Sequence, residues 1–306
     1  MTAMAHQILG LTCETPLHAG GGSKEDVIDL PIQKEAHSNW PCVYGSSMKG
    51  ALRARAETNA AMEPTLIQQA FGPDTSNASE HAGALLVSDA RLLLLPVRSL
   101  TSHFKLVTCP ALLQRLLTDL ARSQAQVPEP PKLPQLSATQ AASPQPENRT
   151  AIYLEEFKLG LTTWENSAAW IDLIFPLIAA IPGVPREDQR QALQEQLLLV
   201  DNDSFKHLCI SALPVLPHIA IDSATKIVKN GALWYEENLP QDTLLYTVIG
   251  CQPSRKEKHE CAAAELLQRT LGGLFQQPYV QIGGNETTGM GWCRVAQPQW
   301  NQGGQG

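Results

Sequence analysis

Several features that define other classes of protein are missing from this sequence of 306 residues. No apolar run approaches the ~20 residues that a helix needs to cross a membrane. The opening stretch, MTAMAHQILGLTC, has no cationic region ahead of its apolar part, so it does not predict a secretory signal peptide. With 43% hydrophobic and 17% charged residues, the composition predicts a soluble globular protein with no membrane partner.

Cysteine is present but shows no functional spacing. The seven cysteines are scattered along the chain, their number is odd, and no CxxC pair occurs. This pattern predicts neither a disulfide framework nor a zinc ribbon, and it favours the reducing cytoplasm as the location.

Basic residues are fewer than acidic ones, and the net charge is -7. Free nucleic-acid-binding proteins usually carry a basic excess, so this balance argues mildly against that class. Binding depends on where the charge lies, however, and several cations are concentrated in the first third of the chain. They are Lys34, Lys49, Arg53, Arg55, Arg91, Arg98 and Lys105.

The familiar catalytic motifs are also missing. The sequence contains no GxSxG, HExxH or HRD-type segment. The segment GSSMKG, residues 45–50, differs from a phosphate-binding P-loop because its lysine precedes the last glycine. A serine hydrolase, a zinc protease, a kinase and a P-loop NTPase are therefore not indicated.

The most informative segment runs from residue 18 to residue 55. A glycine run leads to Asp29 on a loop that Pro31 stiffens, and a helix then begins near Ser47. Lys49 and Arg53 are four residues apart and share one face of that helix. With the free N–H groups of the helix start, they predict a phosphate contact, although a solvated helix face is the alternative.

A second glycine-rich loop, IGGNETTGMGW, covers residues 282–292. Glycine permits a sugar-phosphate backbone to approach closely, and two hydroxyl groups lie within the loop. The residues that predict RNA contact are Gly283, Gly284, Thr287, Thr288 and Gly289. Turn chemistry without any ligand is the alternative.

Other polar residues allow simpler interpretations. His18, His37 and Asp29 could form a metal or acid–base set, but their spacing is not specific. Asp201 and Asp203 fit the cap of a helix. The pair at 236 and 237, two glutamates, is interpreted as the solvated end of a hairpin.

Strand and helix patterns interleave along residues 1–306, which predicts a single α+β domain. A strand at 6–12 precedes the functional loop and helix of residues 14–60, where Ser46 or Ser47 would cap the helix. A buried strand is expected at 85–97, one strand at 151–162, helices at 166–180 and 186–199, and a β-hairpin thumb within 216–240. Residues 124–150 contain six prolines, which predicts a disordered or surface-wrapping insertion.

Four segments in this order resemble one family: HAGGGSKEDVIDLPIQKEAHSNWPCVYGSSMKGALRARAE, LLLPVRSL…LVTCP, GALWYEE and GGNETTGMGWCRV. They are similar to the backbone subunit of Cmr, the type III-B CRISPR–Cas effector complex, which is a RAMP-superfamily protein. The resemblance implies a modified RRM or ferredoxin-like palm, a β-hairpin thumb and helical fingers. It also implies copies stacked along a guide RNA and cleavage of single-stranded target RNA at regular intervals.

The same resemblance implies roles for individual residues. Asp29, in the D-x-P-I-Q segment, would be the key carboxylate and would bind a divalent cation, Mg²⁺ or Mn²⁺, while His18 would lie near the cut. The segment 47–53 and the second glycine loop would contact RNA through Ser47, Lys49, Arg53, Gly283, Gly284, Thr287, Thr288 and Gly289. Partners would be guide CRISPR RNA, target RNA, further copies of the chain and other Cmr subunits. A structural RNA scaffold without chemistry, or a standalone guide-processing ribonuclease using a histidine, remains the alternative.

Overall fold

A computed structural model describes residues 4–22, 27–73, 81–146, 149–222, 224–256 and 260–300. Within these ranges strands β1 to β14 are Ala5–Cys13, Cys42–Val43, Leu85–Val87, Ala90–Arg98, Phe104–Thr108, Gln140–Ser143, Ala151–Leu154, Phe157–Thr163, Leu197–Val200, Val215–Ile221, Val228–Glu237, Leu244–Cys251, Tyr279–Gln281 and Trp292–Ala296. Helices α1 to α7 are Gly45–Thr58, Pro64–Phe71, Pro110–Arg122, Ser167–Ile174, Arg186–Gln196, Asn202–Ser211 and Ala263–Leu274.

The centre of the molecule has a βαββαβ arrangement made from β1, α1, β4, β12, α7 and β14. Its four strands lie in the spatial order β14-β1-β12-β4 and all pairs are antiparallel. This order is the ferredoxin-like one, so the predicted α+β class and palm are confirmed.

Helices cover both faces of this sheet, which explains why β1 is apolar on both sides. Leu9 and Leu11 belong to one core cluster with the buried side of α1, α2 and α7, whereas Ile8 belongs to a second cluster with α3, α4 and α5. In α1 the buried residues are four apart, at Met48, Leu52 and Ala56, so one stripe of the helix faces the sheet.

A long insertion between β4 and β12 extends the same sheet. One half of β4 pairs with β12, and its other half, from Leu95 to Arg98, pairs with β5. The sheet then continues in the order β5-β9-β6-β8-β7. The region predicted as helical fingers therefore contains five strands in addition to α3–α6.

The proline-rich segment differs from a disordered insertion at residues 140–143, which form strand β6, whereas residues 125–137 lie at the surface without helix or strand, as the surface-wrapping alternative predicts. Strand β6 lies between β8 and β9, with Ala141 and Ala142 fully buried. Leu133 and Leu136 pack against the second core cluster, and the Trp170 Nε1–H donates to the Pro131 carbonyl at 3.1 Å. Neighbouring elements thus supply the apolar contacts that the segment's own composition lacks; residues 147 and 148 lie outside the described ranges.

Three local predictions also need correction. Helix α1 begins at Gly45 after Tyr44, so neither Ser46 nor Ser47 caps it. The stretch 151–162 is a two-stranded hairpin, β7 and β8, rather than one strand. The leucines at 197–199 form strand β9 rather than a helix end, because β5 and β6 offer hydrogen-bonding edges on both sides.

Two expectations about the whole chain can be compared with the structure. All seven cysteines are buried and unbridged. Among the helices of the described residues, none is both long and apolar enough to cross a membrane.

Candidate functional site

Strands β10 and β11 form the predicted hairpin as a separate two-stranded sheet. Val215 pairs with Glu237 at its root, and Ile221 pairs with Val228 near its turn. Most of its apolar side chains are exposed: Val215, Leu216, Ile219, Ile221, Ile227, Val228 and Leu233. Such a surface is unusual for a free hairpin and suits contact with another molecule.

The loop that carries Asp29 lies against the root of this hairpin. Leu30 forms a parallel bridge with Glu236, its N–H donates to the Tyr235 carbonyl at 3.1 Å, and its carbonyl accepts from the Glu237 N–H at 3.0 Å. The Asp29 Oδ2 accepts a hydrogen bond from the Tyr235 N–H at 2.8 Å. The backbone of β11 therefore fixes the carboxylate at the point where the hairpin begins.

The ring of His18 is buried beside the same strand end, with 8% of the residue exposed. Its Nδ1 lies 2.8 Å from the Glu237 carbonyl. A carbonyl oxygen can only accept, so Nδ1 carries the hydrogen and Nε2 of the neutral ring holds a lone pair. A Cβ at Gly20 would lie 3.1 Å from that Nε2, so the glycine leaves this atom approachable.

The glycine loop after β13 packs on the same histidine. The Gly284 N–H donates to the His18 carbonyl at 2.8 Å. Gly283 has φ +84°, and a Cβ there would lie 2.2 Å from that carbonyl oxygen. Two of the glycines predicted to contact RNA therefore also have a local structural role.

The adjacent glutamates are buried, so their interpretation as a solvated hairpin end is wrong. Only 3% of Glu236 and 2% of Glu237 is exposed, because both lie at the root of the hairpin. Successive residues of a strand point to opposite faces, and the two carboxylates have different partners. Glu237 accepts from the Lys34 Nζ at 2.6 Å and from the Ile32 N–H at 3.1 Å.

On the opposite face, the Glu236 Oε1 accepts from the Asn285 Nδ2 at 2.7 Å. Two imidazoles flank the same oxygen: His18 Nδ1 at 3.8 Å and His218 Nε2 at 3.9 Å. The His218 ring stacks on Trp234, its cross-strand partner, with ring centres 5.5 Å apart. Sequence reasoning missed His218, although strand periodicity places it on the same face as Glu236.

Gln33, the last residue of D-x-P-I-Q, connects this loop to the start of α1. Its Nε2 donates to the Gly20 carbonyl and to the Ser47 Oγ, each at 3.0 Å. Its Oε1 accepts from the Tyr44 N–H at 2.6 Å. Ser47 is therefore held beside the loop rather than serving as a helix cap.

Lys49 and Arg53 share a face of α1, as their spacing predicts, but they lie toward β3 and do not contact Asp29. Lys49 Nζ donates to the Leu85 carbonyl at 3.2 Å. Burial lowers the pKa of Lys49, and the nearby charge of Arg53 lowers it further. The Arg53 Nε donates to Glu57 at 2.7 Å.

The remaining predicted site residues lie at the surface and do not contact Asp29 in the described part of the chain. Thr287, Thr288 and Gly289 form the exposed tip of the glycine loop, where the Thr288 hydroxyl donates to the Asn285 carbonyl at 2.8 Å. His37 is highly exposed, and its ring lies beside Glu35 rather than Asp29.

The donor atoms around Asp29 can be compared with the needs of a divalent cation. Across the described ranges, no group of three or more His, Cys, Asp or Glu side chains could hold a metal ion. Mg²⁺, however, is usually held by one or two carboxylates together with substrate phosphates and waters. Asp29 fits that role because Oδ2 makes one hydrogen bond and Oδ1 makes none with the part of the chain that is described.

The packing of the glycine loop on His18 leads to a matched pair of variants. Gly283→Ala must displace backbone, because its Cβ would meet the His18 carbonyl. Gly289 has a similar φ of +81° but open space around it, so Gly289→Ala costs only the conformational penalty of about 1 kcal/mol. We expect Gly283→Ala to lower the thermal unfolding temperature clearly more than Gly289→Ala does. Equal shifts would contradict the packing.

Comparison with known proteins shows the family to which this chain belongs. Residues 10–294 match the RAMP superfamily. "CRISPR system Cmr endoribonuclease Cmr4" of Pyrococcus furiosus is 32% identical over 292 residues, covering 95% of each chain. "CRISPR system CMR subunit Cmr4" of Saccharolobus solfataricus is 26% identical, covering 90% of this chain and 91% of that one.

Solved structures agree with this relationship. The crystal structure of oligomeric Cmr4 from Pyrococcus furiosus superposes with a TM-score of 0.74 at 25% identity, covering 98% of this chain and 100% of that chain. A chain of the cryo-EM structure of type III-B Cmr-beta bound to cognate target RNA gives a TM-score of 0.69 at 22% identity, covering 95% and 96%. At that identity the second likeness is one of fold.

Proposed function

Because the chain belongs to the RAMP superfamily and, within it, to the Cmr4 family, we propose that it is the backbone subunit of a type III-B CRISPR effector complex. In this role it binds guide RNA and cleaves single-stranded target RNA at regular intervals. The observation that carries the proposal is the hydrogen bond between Asp29 Oδ2 and the Tyr235 N–H, which fixes a carboxylate at the root of the exposed hairpin.

The geometry supports cleavage next to a 2′-hydroxyl. In such a reaction the 2′-oxygen attacks the adjacent phosphorus and the 5′-oxygen leaves, which requires in-line alignment of the three atoms. A hairpin that crosses the RNA can supply this alignment by disturbing the stacking of one nucleotide. Asp29 lies at the hairpin root, where it can orient the attacking group.

Proton transfer requires a different residue. A carboxylate is a weaker base than an imidazole. His18 is better suited, because its Nδ1–H is committed to the Glu237 carbonyl and its Nε2 can accept a proton. In this proposal His18 takes the proton of the 2′-hydroxyl, and Gly20 keeps the path to Nε2 open.

A divalent cation, Mg²⁺ or Mn²⁺, is part of the proposal. Asp29 would be its protein ligand, with phosphate oxygens of the RNA and waters completing the set. Such a cation would offset negative charge that develops on the phosphate. The Asp29 Oδ1, which makes no hydrogen bond with the described residues, is available for this role.

The guide RNA would contact the face of α1 that carries Lys49 and Arg53, and the tip of the glycine loop. Lys49→Ala and Arg53→Ala should each weaken binding of every guide sequence to a similar degree, because phosphate contacts carry no sequence information. Each variant should also reduce the slope of log K against log salt by roughly one. Filter binding over a salt series measures both effects.

An unchanged slope, or a loss restricted to certain guide sequences, would contradict phosphate contact at this face. Arg190→Ala is the matched control, because that arginine pairs with Asp172 on the insertion, away from α1. It should leave both the affinity and the slope unchanged.

The partners follow from the same role: guide CRISPR RNA, target RNA, further copies of this chain and the other Cmr subunits. The exposed apolar side chains of the hairpin support contact with RNA or with a second copy. We place the protein in the cytoplasm, a location that its seven unbridged cysteines support.

One experiment tests the function as a whole. The protein is copurified with the other subunits encoded beside it, the bound RNA is sequenced, and a complementary labelled RNA is digested. We expect bound guide RNA and a ladder of evenly spaced target fragments. Bound guide with intact target would favour the structural scaffold, and cleavage of a guide precursor by the isolated chain would favour the processing ribonuclease.

A further inference from the structure

A second histidine faces the site from the opposite strand of the hairpin. The Nε2 of His218 is buried and has no hydrogen-bond partner in the described part of the chain. It lies 3.9 Å from the Glu236 Oε1, and about a third of the side chain, 32%, stays exposed. One edge of the imidazole is therefore turned to a buried carboxylate while part of the ring reaches solvent.

Charged and polar groups lie close to the buried edge of the His218 ring. Glu236, on the neighbouring strand, is the carboxylate that faces it. Beyond that carboxylate lie His18 and Asn285, and Asn285 orients the carboxylate by donating to Oε1. A carboxylate that faces one ring nitrogen orients the imidazole, as the aspartate of a catalytic triad does.

Cleavage of RNA requires an acid as well as a base. When the bond between phosphorus and the 5′-oxygen breaks, that oxygen leaves as an alkoxide unless it receives a proton. In the proposed function His18 removes the proton of the 2′-hydroxyl, and no residue yet supplies the proton of the leaving group. Catalysis by two imidazoles would meet both needs near neutral pH.

We propose that His218 is the general acid of target-RNA cleavage, with Nε2 facing the Glu236 carboxylate and Nδ1–H donating to the 5′-oxygen. The proposal rests on the function proposed above. The 2′-oxygen forms a bond with phosphorus as the bond to the 5′-oxygen breaks. One proton passes to His18 and one leaves His218, so the products are a 2′,3′-cyclic phosphate and a 5′-hydroxyl.

The location of His218 on the hairpin links the general acid to the position of the RNA. The residue belongs to β10, and its ring is held by stacking on Trp234 of β11. RNA lying across the hairpin would meet the acid and the carboxylate of Asp29 on one element, since Asp29 is bonded to the same hairpin root. Engagement of the hairpin would thus complete the site.

The test uses a leaving group that needs no proton. In the assembled complex, His218→Gln and His218→Ala should cleave ordinary target RNA about 100-fold more slowly, which is typical for loss of a general acid. A target with sulfur in place of the bridging 5′-oxygen at the cut position releases a thiolate. We expect both variants to cleave that target at the wild-type rate.

Controls separate this proposal from the function itself. His207→Ala, which alters a histidine that contacts Phe157 on the insertion, should cleave both targets normally. Asp29→Asn should cleave neither, because its role is not protonation of the leaving group. Normal cleavage of ordinary RNA by the His218 variants would overturn the proposal, and so would slow cleavage of both targets. If instead no variant or wild-type complex cleaves RNA, the proposed function fails.

Discussion

Replacing Asp29 by asparagine should abolish target cleavage while leaving the assembled complex nearly intact. Asparagine has almost the same shape, and its side-chain oxygen can still accept from the Tyr235 N–H. The variant loses only the negative charge, which we assign to orienting the 2′-hydroxyl and binding a cation. We expect the cleavage rate to fall at least about 100-fold, the scale seen when a key electrostatic group is removed.

Target digestion and guide binding should be measured on the same preparation. Asp172→Asn is a matched control, since it removes one negative charge from an exposed position of α4. It should cleave at the wild-type rate. If Asp29→Asn assembles and also cleaves at that rate, the assignment of Asp29 is wrong and the scaffold alternative gains support.

Shortening the hairpin should remove the regular spacing of the cuts. Deleting residues 224–229 takes away the turn and the first two residues of β11, including the exposed Ile227 and Val228. The pairs at the root remain, from Val215 with Glu237 to Ile219 with Leu233. Asp29 and Glu236 therefore keep their partners. Without the apolar tip to disturb stacking of the RNA, the in-line geometry is lost and discrete cleavage products should disappear.

A sequencing gel of digested target displays this result directly. The palm should stay folded, because the hairpin forms a sheet separate from the main one, and much of the guide affinity should persist. Replacing Lys226 and Lys229 by alanine is the control that keeps hairpin length, and it should preserve the ladder of products. An unchanged ladder from the shortened protein would rule out the proposed role of the hairpin.

The parts of the site that sequence reasoning located are those defined by local patterns. Asp29 and Pro31 lie in one short motif, and the glycine loop is recognisable from its composition. The hairpin was located from alternating apolar residues around a polar turn. Each of these signals spans a few residues, so a single sequence is enough to reveal it.

What sequence reasoning missed depends on contacts between distant segments. A pair of glutamates at a strand end is usually solvated, yet Glu237 is buried because Lys34, some 200 residues earlier, neutralises it. The fold shows the same effect in the insertion. The segment at 140–143 is small and polar, and it becomes a strand because β8 and β9 pair with it from both sides.

The burial of Glu236 and Glu237 on opposite faces restricts how this hairpin can be redesigned. Inserting one residue directly after Glu237 would shift both glutamates by one position and exchange their faces, placing the partner of Lys34 beside the imidazoles. Two inserted residues would restore the original faces. Changes in the length of β11 at this end should therefore preserve the site in even steps and disrupt it in odd ones.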